Sequence, residues 1–146
     1  MVEQIMHNDT LHAIIIRNNY TADGVHFFTP DQMSQQLAYM RRPAGHVIDP
    51  HVHCPNLRSV WLTQEVLLLR SGKVRVDFYD SQRQYLESRV LYAGDVILLA
   101  NGGHGFHMLE ESEIIEIKQG PYSGDADKVR FQGVEEDVIE SRDRKG

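Results

Sequence analysis

Turn signals punctuate this chain, at intervals of roughly ten residues from Ser71 onward, and they restrict its fold more than any other feature. They are Asp23-Gly24, Ser71-Gly72, Asp80-Ser81, Ala93-Gly94-Asp95 and Asn101-Gly102-Gly103. The runs between them are too short for helices and rich in β-branched residues. Residues 11–17 (LHAIIIR) read as a buried strand and 25–28 as a second, short one. Residues 59–70 form a long apolar-rich segment. Residues 73–79 alternate, with Val74, Val76 and Phe78 on one side and Lys73, Arg75 and Asp77 on the other. Residues 84–92 read as the return strand and 96–99 as a buried run, while 106–109 and 114–118 are expected to form a hairpin. No helical spacers separate these runs, which excludes a parallel α/β sheet and leaves an all-β sandwich or barrel. The one helix signal is N-terminal. Thr29 reads as a cap, Pro30 as the first helical position and Gln32 as the capping-box partner, with Met33, Leu37 and Met40 on one face before Pro43.

Composition narrows the function classes. The chain is 41% hydrophobic and 25% charged, as globular proteins are, and no run approaches the ~18 apolar residues of a spanning helix. Its charge of −6 comes without a basic stripe, so neither nucleic acid nor membrane is expected as a partner. Met1-Val2-Glu3-Gln4 lacks the basic and apolar pattern of an export signal, and the single cysteine, Cys54, cannot form an internal disulfide. A cytoplasmic location is the expectation. Cys54 is read as a small packing residue. Residues 135–146 are charged and read as a frayed helix or disordered end.

Eight histidines are many for this length, and His51-Val52-His53 is the most informative pair. On a strand, residues two apart share a face, so both imidazoles can reach one divalent metal ion. Two surface histidines on a polar face are the alternative for such a pair taken alone. Gly45 stands six residues before His51, Glu65 stands seven before Gly72, and Gly94-Asp95 precedes a buried strand, a glycine turn and His104. This set resembles the two motifs of the cupin superfamily, over residues 45–107. The gap between His53 and Glu65 is longer than in the family, and Ala100 stands where the second motif has proline.

The resemblance implies a cupin-type double-stranded β-helix, a jelly-roll barrel, with the one short N-terminal helix packed on it. It divides one domain into residues 1–44 packing on the barrel, a barrel over 45–132 and a charged tail over 133–146. It further implies a divalent metal (Fe, Mn, Ni, Co or Zn) held by His51, His53, Glu65 and His104. His107 competes with His104, since the two should face opposite sides of a strand, and the preceding turn favours His104. His7, His12, His26 and His46 match no motif position and read as surface or lightly buried residues. Isomerase, epimerase, dioxygenase and decarboxylase chemistry all suit such a ligand set. Arg58, Lys118 and Tyr122 are candidates for binding an anionic or hydroxylated small-molecule substrate. The run Gln64-Glu65-Val66-Leu67 resembles small single-domain cupins of bacterial surface-polysaccharide and sugar-nucleotide pathways. The expected activity is therefore metal-dependent, of isomerase/epimerase or oxygenase type, on a small polar or sugar-derived substrate. A non-catalytic ligand-binding or sensing module is the alternative. A homodimer is expected, with residues 11–17 as an exchangeable strand.

Overall fold

Alternating β-branched runs bury one face each, and the chain satisfies them by stacking two sheets. A computed structural model describes residues 1–139 and the backbone of 141–142. Among the described residues eleven strands follow one another: β1 (Val2–His7), β2 (Thr10–Ile16), β3 (Gly24–Phe27), β4 (Ala38–Arg41), β5 (Glu65–Ser71), β6 (Lys73–Tyr79), β7 (Tyr85–Tyr92), β8 (Val96–Leu99), β9 (Gly103–Met108), β10 (Glu113–Lys118) and β11 (Ser141–Arg142). They divide into two compact units, one of Met1–Tyr20 with the chain from Thr63 onward, the other of Thr21–Leu62.

The larger unit holds a five-stranded sheet in the order β1-β2-β8-β5-β10 and a four-stranded sheet in the order β11-β7-β6-β9. Pairing is antiparallel except between β11 and β7. Among the described residues the sheets do not close into a barrel. One core fills this unit: Ile5, Ala13, Ile15, Leu67, Leu69, Ile97 and Leu99 come from the first sheet, and Val74, Val76, Phe78 and Leu91 from the second. The expected alternation in β6 holds, because Val74, Val76 and Phe78 all enter this core. A void of about 10 Å³ remains among Leu67, Leu69, Val74, Leu91, Phe106 and Ile114. Such a volume admits about one water and its lining offers that water no partner.

An ion cluster ties β2 to the turn between β7 and β8. The Arg17 guanidinium, fully buried, donates to Asp95 at 2.8 Å, to the Val90 carbonyl at 2.7 Å and to Glu3 at 2.6 Å. The buried Asp95 carboxylate also accepts the Asn18 and Tyr92 N–H groups, so each of its oxygens has a donor. Glu3 and Glu87 continue the cluster to Arg89.

Three expectations from sequence are corrected here. Residues 29–42 form no helix. The Thr29 hydroxyl takes the N–H of Leu37 and donates to Gln36, whose amide in turn donates to the Pro30 and Met33 carbonyls. These side chains satisfy the groups a helix would pair, and the loop closes as β4 joins β3 (Val25 opposite Met40). Residues 106–109 and 114–118 form no hairpin with each other: β9 pairs with β6 and β10 with β5, in different sheets. Residues 11–17 are no exchangeable edge, since β2 is bonded to β1 on one side and β8 on the other. The tail is ordered in part. A 3-10 turn at Glu136–Val138 precedes β11, and residues 140 and 143–146 lie outside the described residues.

Candidate functional site

At one end of the larger unit the apolar stripe of each sheet gives way to polar residues. On β5, Leu69 and Leu67 face the core and Glu65 continues the same face. Antiparallel pairing sets Lys118 of β10 opposite Glu65 and Glu116 opposite Leu67, so Ile114, Glu116 and Lys118 share that face. On β9 of the other sheet, His104 lies opposite Phe78. The two sheets meet through these residues, with His104 Nε2 3.2 Å from Glu65 Oε1.

The electrostatics of this cluster are asymmetric. Hydrogen bonding to His104 holds the Glu65 carboxyl down at about 2, despite burial acting the other way. Glu116 is pushed up from the usual carboxylate range, first by its hydrogen bond to Glu65, then by burial and the neighbouring charge. Lys118 Nζ stands 3.6 Å from Glu116. The cluster thus combines an ionised carboxylate, an imidazole, a carboxyl that retains its proton to higher pH, and an ammonium group.

The Glu65–His104 geometry fits a shared metal ion. Two ligand atoms each at about 2.0–2.2 Å from one ion, at octahedral or tetrahedral angles, lie about 2.8–3.6 Å apart. The observed 3.2 Å falls inside that interval. Within neither unit, among the described residues, do three or more His, Cys, Asp or Glu side chains converge on such a point.

No family model, curated protein or solved structure matches the chain. What the site can do therefore rests on its residues.

The other sequence candidates are distributed as follows. His51 and His53 lie in the smaller unit, exposed, with ring centroids 5.3 Å apart and His51 Nδ1 2.9 Å from the Asp49 carbonyl. The strand expected there does not form; residues 42–64 contain none. Pro43, Pro50 and Pro55 remove N–H donors from the segment, and the smaller unit's sheet consists of β3 and β4 alone. Arg58 is exposed on the same segment, as is Cys54, which is not the packing residue its sequence context suggests. Tyr122 is exposed beyond β10.

His107 faces away from Glu65. Its Nδ1 lies 3.2 Å from Glu136, on the outer face of the second sheet, where Arg75 opposite it donates to Glu136 at 2.8 and 2.9 Å and to Asp77. This pairing pulls the Glu136 carboxyl down to about 2. His12, expected near the surface, is buried, and burial lowers its basicity.

Glu116 is the residue that sequence reading passed over. Its signal is the alternation Ile114-Glu116-Lys118 once the apolar Ile114 is known to point inward.

Proposed function

We propose that this chain is a metal-binding cupin, an enzyme of isomerase or epimerase type acting on a small polar or sugar-derived substrate. The observation that carries the reading is the contact between Glu65 and His104, two residues from different sheets whose donor atoms are spaced for one ion. The sequence pattern adds His51 and His53 as the remaining protein ligands. A divalent ion there would supply Lewis acidity toward a substrate oxygen and stabilise developing negative charge beside it.

The surrounding side chains favour proton transfer over the other chemistries of such ligand sets. Glu65 stays ionised across the physiological range and acts as a ligand rather than an acid. Glu116, two residues from Lys118 on the same face, holds its proton to higher pH and is suited to give and take one at a substrate carbon. Lys118 offers its ammonium group to an anionic or hydroxylated substrate. The void between the sheets is too small for a substrate, which would meet these groups from the open end of the sandwich. The location that accompanies this reading is cytoplasmic.

Cobalt(II) substitution tests it. Titration should give visible ligand-field bands that saturate near equal concentrations of ion and chain. Glu65→Gln and His104→Gln should lose them, while Glu116→Gln should keep them and lose turnover with any substrate found. Bands that persist unchanged in Glu65→Gln would contradict the assignment. Metal and ligand binding without turnover would indicate a binding module.

A further inference from the structure

The end of the sandwich at which Glu65 and His104 meet is crossed by residues 119–135. This segment, between β10 and the turn at Glu136, contains no strand and one short 3-10 turn at Gly124–Asp127. It starts at the first sheet, where the Gln119 N–H donates to the Gln64 carbonyl at 3.0 Å. Just before β5 the Thr63 hydroxyl donates to Asp127 at 2.6 Å. The segment ends against the second sheet. The Phe131 ring stands edge-on to Tyr79, centroids 5.0 Å apart, and 2.9 Å from where a Cβ on Gly103 would lie. The Val134 N–H donates to the Tyr79 hydroxyl at 3.0 Å, and Glu136 then reaches Arg75 and His107 on the outer face.

These anchors flank the polar cluster on both sides. Gln64 adjoins Glu65, Gly103 adjoins His104, and Tyr79 lies opposite Gly103. With the segment in place the Glu65, His104 and Lys118 side chains are 16%, 25% and 28% exposed. Its own hold is slight. No residue of 119–135 is buried, and Gln119, Gly124, Phe131 and Val134 alone are partly so. Segments with so little buried contact open well below the cost of global unfolding. Nothing lies within 4 Å of where a Cβ would stand on Gly120 or Gly124, so the backbone can turn there without collision.

We propose that residues 119–135 are a lid over the Glu65–His104–Lys118 cluster. It turns about Gly120 and Gly124, Phe131 seats it on Tyr79, and the pairing of Glu136 with Arg75 and His107 is its latch. Lifting it opens the cluster to a ligand, and closing it excludes water from the same groups. The lid stands on the contacts above; its use in admitting a substrate rests on the metal-binding reading.

The test is labelling of Lys118 with trinitrobenzenesulfonate, an anionic aromatic probe of about substrate size, followed by peptide mass spectrometry. Lys73, at the opposite end of β6 from Tyr79, is the reference within each sample. The lid is locked by Thr63→Cys with Asp127→Cys, oxidised to a disulfide in a full-length chain that also carries Cys54→Ser. It is freed by Phe131→Ala and, separately, by Glu136→Ala, each compared with the parent for β-sheet circular dichroism. Lys118 should react several-fold more slowly in the locked chain, recover on reduction, and react several-fold faster in both freed chains. Equal rates in the parent and the freed chains would overturn the lid, whether or not the disulfide forms. A locked chain that reacts as fast as its reduced form would also overturn it. Cobalt(II) uptake separates the lid from its use: the locked chain should fill more slowly, to the parent's final occupancy. A parent that takes up no cobalt would overturn the metal-binding reading, and the lysine labelling would still decide the lid.

Discussion

Glu65 shows how one side chain links stability to acid. Its carboxyl lies well below its unfolded value near 4.5, at about 2, because His104 holds the ionised form. A depressed carboxyl adds stability that is fully present above pH ~4.5 and disappears as pH falls through about 2. The full shift corresponds to about 3 kcal/mol, and screening by solvent at this partly exposed end of the sandwich reduces it to about 1–2 kcal/mol. Glu65→Gln should therefore cost that amount at pH 7 in urea titrations of the metal-free protein and flatten the loss of stability between pH 4.5 and 2. Glu116 has the opposite sign, since its raised carboxyl weakens the fold as pH rises above 4.5. Glu116→Gln should leave stability at pH 7 unchanged or slightly higher. Asp95 is a third case. Asp95→Ala would strand the buried Arg17 guanidinium, with Glu3 as its remaining acidic partner, and should cost about 3 kcal/mol by chemical denaturation. Gly102 sits at φ +72° with the Tyr79 carbonyl and His12 Nδ1 where a Cβ would lie. Gly102→Ala should lower stability by about 2 kcal/mol, through strain and the displaced ring.

Strand character was legible wherever a run alternates or is uniformly β-branched. The bounds of β6 and β8 are the expected ones, β2, β3, β7, β9 and β10 lie within a few residues of theirs, and β5 begins at Glu65, well inside the longer segment expected from residue 59. Two kinds of information were not local. Partner choice was one: nothing in residues 106–118 says that β9 and β10 enter different sheets, because either pairing would bury the same apolar residues. Side-chain competition was the other. Thr29 and Gln36 look like helix formers or caps, and their bonds to Leu37, Pro30 and Met33 hold a loop instead. The proximity of Glu65 and His104 was implied by motif spacing, but Glu116 became visible only with the register of β10 on β5. The tail is a case where composition misled. Glu136 looks like one more solvated charge, yet it bridges Arg75 and His107 on the outer face of the second sheet. Glu136→Ala should accelerate proteolytic cleavage after residue 130 several-fold, with cleavage elsewhere unchanged.

At the scale of the molecule, the larger unit is a two-sheet sandwich with one apolar core, an ion cluster binding the β7–β8 turn and a polar cluster at the open end. No helix among the described residues is long and apolar enough to cross a membrane. At the polar end Glu65 of one sheet and His104 of the other touch across the sandwich, and the functional proposal is placed there. Its central claim is that Glu65 and His104 hold a metal ion. The direct test is elemental analysis of untagged protein beside Glu65→Gln and His104→Gln, each as purified and after reconstitution with iron, manganese, nickel, cobalt or zinc. The account predicts about one ion per chain in the parent and near-total loss in both variants. A parent devoid of metal after reconstitution, or variants that keep the parent's full complement, would contradict it.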